Sequence, residues 1–194
     1  MPAMSKYKWS NKRRLTDLSV GGEDGRLVFK AGNERAEVFL NKSGIAKVIF
    51  KGPDGQAVVL RSTDAKHVVV GKENFCRDVY HWLKPGGPAP MMRLGLTVHR
   101  GEGTWSSLPH DFELNLEPGF EEVFFHFVSG GSGRALQMGR GVWVDGKKVD
   151  EVWSIVDHQF STVPMGYHPV VGEPGARVAY VWVYLAKHKR WEKI

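Results

Sequence analysis

One cysteine, Cys76, is all that the 194 residues contain, so no disulfide can close within a chain. It precedes Arg77 and an apolar, aromatic run, which reads as a buried and inert thiol; a nucleophilic cysteine needs an imidazole beside it. No apolar run approaches the ~20 residues that a membrane-spanning helix requires, which excludes a helical span. The first residues are polar and basic and lack the apolar centre of a secretion signal, so the expected location is the cytoplasm. A sustained apolar period of 3.6 residues is missing as well, which leaves room for short helical turns alone. No recognisable nucleic-acid-binding motif is present, and neither nucleic acid nor membrane is an expected partner.

The formal net charge of +6 is confined to the ends. Residues 1–14 hold Lys6, Lys8, Lys12, Arg13 and Arg14 without an acid, and residues 187–194 hold Lys187, Lys189, Arg190 and Lys193 against Glu192. The ends therefore carry +5 and +3 of the formal +6, and the body is at −2. Solvated tails account for the basicity better than an acidic partner does.

Glycine and proline, by contrast, are plentiful, at 23 and 10 residues, and they punctuate short runs rich in Val, Ile, Phe and Leu. Residues 26–30, 36–40, 46–51 and 57–61 are such runs, set apart by Gly-Asn, Lys-Ser-Gly and Gly-Pro-Asp-Gly turns. Gly21 to Gly25 reads as a turn, Lys84 to Pro90 as a loop, Met92 to His99 and Arg177 to Leu185 as strands. The chain divides into a basic arm over 1–20, mobile or loosely docked, which Tyr7 and Trp9 could pin to a surface, a β-strand extension over 21–66, and a main domain over 67–194. Strands 26–66 are too few for a barrel of their own and pack on the main domain or on a partner subunit. Their unpaired edges predict a homodimer.

Three separated stretches carry side chains able to hold a metal. His110 follows the turn Trp105-Ser106-Ser107-Leu108-Pro109, Glu122 opens the aromatic run Glu122-Val123-Phe124-Phe125, and His168 sits in Pro164-Met165-Gly166-Tyr167-His168-Pro169. Two imidazoles and a carboxylate spread over so much β-patterned chain converge only if that chain closes on itself, as in a small barrel. Isolated histidines of β domains are more often plain core or surface residues, and His81 and His99 are read that way. Along the Glu122 strand, alternation puts Glu122, Phe124, His126 and Val128 on one face. His126 is then a core imidazole, a base near the site, or a replacement ligand.

The order GEGTWSSLPH, EEVFFHF, Gln137 in RALQMG, VDE at 149–151 and VPMGYHPV resembles the 5-deoxy-glucuronate isomerase family, related to the 5-keto-4-deoxyuronate isomerases. The likeness runs from VGKENFCRDVYHWL at Val70 to the C-terminus. It implies an all-β cupin fold, a double-stranded β-helix or jelly-roll barrel, with additional N-terminal strands. It also implies a metal-dependent aldose–ketose isomerase of sugar acids, with Gln137 and Tyr167 orienting the substrate. Where the family has His-x-His after Trp-Ser-Ser, this chain has His110-Asp111-Phe112-Glu113, and the family's N-terminal barrel is reduced to a remnant. The implied ligands of a divalent Zn, Mn, Fe or Ni ion are His110, Glu122 and His168, with Glu113 in the space of the second histidine. His126, or an uncoordinated Glu113, would be the base that moves the proton between carbons. A metal cupin of other chemistry, such as a small-acid oxygenase, and a non-catalytic small-molecule binding cupin are the alternatives.

Overall fold

The computed structural model describes residues 6–42, 44–106 and 119–187. Among them there is no α-helix; two 3-10 turns, Ser62–Asp64 and Glu73–Phe75, interrupt a succession of strands. The strands are β1 (Trp9–Asn11), β2 (Leu18–Glu23), β3 (Arg26–Ala31), β4 (Glu34–Asn41), β5 (Gly44–Lys51) and β6 (Ala57–Arg61). They continue with β7 (Lys66–Val70), β8 (Arg77–Leu83), β9 (Met92–His99), β10 (Glu122–Ser129) and β11 (Arg134–Val142). The last are β12 (Lys148–Val156), β13 (Phe160–Val163), β14 (Met165–Tyr167), β15 (Val170–Gly172) and β16 (Arg177–Leu185).

Three sheets result. One has seven strands in the order β1-β13-β10-β16-β9-β8-β7; a second has the order β12-β11-β14, with β15 also on β11; the third is the meander β2-β3-β4-β5-β6. Alternation along the central strands explains the arrangement. On β10, Val123, Phe125 and Phe127 face one way and Phe124 and Val128 the other; on β16, Ala179, Val181, Val183 and Leu185 oppose Val178, Tyr180 and Trp182. The first set meets Leu27, Phe29, Val38, Val48 and Phe50 of the meander. The second set meets Ala135, Ile155 and Val170 of the smaller sheet and so fills the barrel. Strands buried on both faces are apolar nearly throughout, hence the unbroken run of β16.

This is the all-β cupin architecture expected from the sequence. The N-terminal meander lies against the outside of the barrel sheet within the same chain. Two local readings change. Gly21, Gly22 and Glu23 belong to β2, and the turn is Asp24–Gly25 alone, both at positive φ. Part of the basic arm is a strand: β1 runs parallel to β13, Trp9 stacks on Phe160 at 5.0 Å, and Tyr7 meets the edge of Phe125 at 4.9 Å. Glu121 locks the segment that follows. Its buried carboxylate accepts from the backbone N–H of Thr16, Asp17 and Leu18 (2.5, 3.0 and 2.6 Å) and from the Thr16 hydroxyl. Glu34 does likewise for Met91 and Met92, both at 2.8 Å.

Candidate metal and substrate site

Glu121 and Glu122 are neighbours with opposite fates, because successive side chains of a strand point to opposite faces. Glu121 faces the N-terminal segment, and Glu122 faces the barrel interior. Register across the sheet sets the interior in rows. Glu122 is level with Tyr184 and Arg93, Phe124 with Trp182 and Gly95, and His126 with Tyr180 and Thr97. Gly95 is required there: a Cβ would lie 2.1 Å from Trp182 and 2.3 Å from the Tyr80 carbonyl oxygen. Phe124 stacks on Tyr180 at 4.5 Å, and Trp182 on Tyr184 at 5.9 Å, so the wall is largely aromatic.

In the uppermost row Glu122 meets His168, which lies between β14 and β15. Glu122 Oε2 and His168 Nε2 are 3.5 Å apart, and both residues are buried, at 7% and 3% exposure. Burial pushes the Glu122 carboxyl up to about 8, with nothing else contributing to the shift. A carboxylate and an imidazole that converge in a dry interior suit a divalent first-row cation, which favours the ionised acid that burial opposes. Their separation is also that of two donors sharing one ion, since ligand bonds of about 2.0–2.2 Å set at tetrahedral angles hold donors roughly 3.4 Å apart. The pair therefore fits the implied metal. Among the described residues no group of three or more His, Cys, Asp or Glu side chains is placed to complete it. His110 and Glu113 lie outside the described residues, but the chain on either side is fixed. Ser106 donates its backbone N–H to the Val170 carbonyl and accepts from the Val170 N–H through its hydroxyl, both at 2.7 Å.

His126 shares the Glu122 face, as alternation along β10 requires, but it stands one row deeper. Phe124 separates the two levels, with its ring 6.0 Å from His126 and 6.0 Å from His168. His126 Nε2 lies 2.8 Å from Ser161 Oγ, and Ser161 donates to Gln137 Oε1. All three residues are fully buried, and they tie β10 and β13 of the large sheet to β11 of the small one. Burial holds the His126 imidazole down at about 3, hydrogen bonding with the Gln137 side chain opposing part of that shift. His99, in the next row, donates Nδ1–H to the Thr104 carbonyl at 2.9 Å and is held at about 4 by burial. Since a carbonyl only accepts, Nδ1 carries the proton. Tyr167 is half-buried on β14, opposite Arg140 of β11.

Ser161 is the site residue that sequence reading missed. It sits in Phe160-Ser161-Thr162-Val163, and its inward position follows from pairing with Phe124, which no local pattern discloses.

The family model of the KduI/IolB proteins matches residues 22–194. The chain belongs to the KduI/IolB family. Proteins named 5-deoxy-glucuronate isomerase are similar to it: that of Geobacillus kaustophilus is 32% identical over 126 residues, 63% of this chain and 44% of its own. That of Halalkalibacterium halodurans is 33% identical over 124 residues, covering 62% and 44%. The chain thus spans under half the length of these relatives. A crystal structure of an IolB-like protein from Salmonella typhimurium LT2 superposes with a TM-score of 0.61 at 20% identity, over 86% of this chain and 64% of that one, a likeness of fold. The KduI/IolB match begins inside β2, so it takes in the meander as well as the barrel.

Proposed function

We propose that this KduI/IolB chain is a metal-dependent isomerase that interconverts the aldose and ketose forms of a sugar acid of the 5-deoxy-glucuronate kind, in carbohydrate and inositol catabolism. The observation that carries the reading is the buried Glu122–His168 pair, 3.5 Å apart in the interior of a cupin barrel. Similarity to relatives named for that reaction supports it. Its setting is the cytoplasm, and its active form a homodimer.

Glu122 and His168, with His110 and Glu113 from segment 107–118, would hold a divalent transition metal. Such an ion supplies Lewis acidity, which makes the C–H beside a coordinated carbonyl easier to deprotonate. Glu122, whose carboxyl burial pushes up to about 8, would hold such a cation as the carboxylate. The aromatic rows of Phe124, Trp182 and Tyr184 keep water from the reacting carbons. Aldose–ketose exchange moves one proton between adjacent carbons, and Glu113, where the metal does not take it as a ligand, is the base assigned to it. His126 is assigned a positioning role instead: its Nε2 is engaged by Ser161, and burial keeps the ring neutral. Gln137 and Tyr167 orient substrate hydroxyls.

Anaerobic incubation with 5-deoxy-glucuronate tests the proposal. Turnover that chelation abolishes and added divalent metal restores is the expected result. Oxygen consumption by metal-replete protein, or no conversion by it, would overturn the assignment.

A further inference from the structure

The N-terminal meander buries Leu27, Phe29, Val38, Val48 and Phe50 against the barrel, and alternation turns the residues between them outward. Register sorts that outer side into rows that cross the strands. One row carries Arg26, Lys47 and Arg61, and another carries Lys30, Arg35 and Lys51. Between them runs a row of Val28, Glu37, Ile49 and Val59. Lys30, Lys47, Lys51, Val59 and Arg61 are exposed.

The cations stand where a sheet least favours them. Lys30 is directly opposite Arg35, Arg35 is opposite Lys51, and Lys47 is opposite Arg61. Like charges facing each other on one side of a sheet repel and cost stability. Two acids share the face. Glu37 lies 3.4 Å from Arg26 and 2.8 Å from Arg35, and Glu23 lies 3.9 Å from Arg26. Among the described residues no carboxylate forms an ion pair with Lys30, Lys47, Lys51 or Arg61. Six cations against two acids put this one face at +4, whereas the body is at −2 as a whole and therefore at −6 elsewhere. Net charge hides the segregation, because opposite signs cancel over the body.

A ligand that relieves the repulsion brings anions to both basic rows and an apolar strip to the row between them. The basic rows are four residues apart along the strands, roughly 13 Å. That is close to the diameter of an α-helix with its side chains, about 10–12 Å. From Val28 to Val59 the middle row crosses three strand spacings, roughly 14 Å, the length of about ten helical residues. Other occupants fit less well. Bases of single-stranded nucleic acid stack on open aromatic rings, and Phe39, in the row of Lys47, is covered by its Nζ at 4.5 Å. Anionic bilayers take up Trp, Phe or Leu from a docking face, and the middle row offers short β-branched side chains instead. A second copy would present the same +4 face and be repelled.

We infer that the outer face of the meander is a docking surface for another protein that presents an acidic amphipathic helix. The apolar stripe of that helix covers Val28, Ile49 and Val59, and carboxylates along its two borders meet the two basic rows. This face is on the far side of the meander from the barrel, so the inference is independent of the isomerase reading.

The probe is a fluorescein-labelled synthetic helix of about 18 residues, with leucines in one stripe and glutamates on both borders. It is titrated against the intact chain by fluorescence anisotropy. The expected result is saturable binding that weakens as salt rises. Lys30→Glu with Lys51→Glu should weaken it about tenfold or more. Lys72→Glu with Lys148→Glu, an equal charge reversal away from the face, should leave it unchanged. No binding, equal loss in both double variants, or equal binding of a scrambled peptide of the same composition overturns the inference. So does tighter binding of single-stranded DNA or of phosphatidylserine vesicles. A second measurement needs no ligand. Lys51→Glu alone should raise the melting temperature, because it turns the repulsion with Arg35 into attraction. A lowered melting temperature would mean that Lys51 serves the fold, and the docking surface would lose its basis.

Discussion

At the scale of single residues, the interior imidazoles govern pH dependence. His99 and His126 are held at about 4 and about 3, both by burial. In the unfolded chain each has an ordinary value near 6.5, so between that value and the folded one the unfolded state binds protons that the folded state refuses. The stability they contribute is thus present above pH ~6.5 and lost as pH falls toward the folded values. The expected slope over that window is up to about 1.4 kcal/mol per pH unit for each group. Chemical denaturation at a series of pH values measures it. His126→Phe should make the slope shallower by one group's share, and an unchanged slope in that variant would contradict the burial of a neutral ring. Glu122 has the opposite sense. Its folded value of about 8 lies above the ordinary one, so its contribution is full at low pH and lost as pH rises toward that value.

At the scale of elements, the link between the N-terminal segment and the barrel rests on Glu121. Its carboxylate is the acceptor for three successive backbone N–H groups at Thr16, Asp17 and Leu18. Glu121→Ala orphans these donors at a part-buried position, a loss of about 3 kcal/mol. The expected consequence is a melting temperature lower by roughly 6–12 °C, given the usual scaling for a chain of this size. Faster amide exchange at residues 16–18 should accompany it. Unchanged exchange there would show that the segment is held by Trp9 and Tyr7 instead. Much at this scale was legible in sequence. The strands of the barrel and its turns followed from alternation and from Gly-Pro punctuation, and Arg177 to Leu185 matches β16 residue for residue. The role of Glu121 was not legible, because an acidic pair at the start of a strand looks the same whichever member turns inward. The strand at Trp9–Asn11 was hidden by the flanking Lys8 and Lys12, which are exposed while the Trp9 ring packs on Phe160. Ser161 was hidden for another reason: pairing register between β10 and β13 is a tertiary fact.

At the scale of the whole molecule, sheet edges among the described strands bear on assembly. β6 ends the meander and β7 ends the barrel sheet, and both present valines to solvent, Val59 at 47% and Val69 at 50% exposure. Exposed β-branched edges are places where another chain adds on. A homodimer is expected by light scattering; Val59→Lys with Val69→Lys should shift it toward monomer without unfolding it. A species of about 22 kDa at all concentrations would rule the dimer out.

The account turns on the metal, and elemental analysis of the purified chain and its His168→Ala variant is its most direct test. The intact chain should carry close to one equivalent of a divalent transition metal per chain. His168→Ala should lose nearly all of it, Glu113→Ala only part, and His126→Phe none. A full equivalent retained by His168→Ala would contradict the assignment of the Glu122–His168 pair as the metal's ligands.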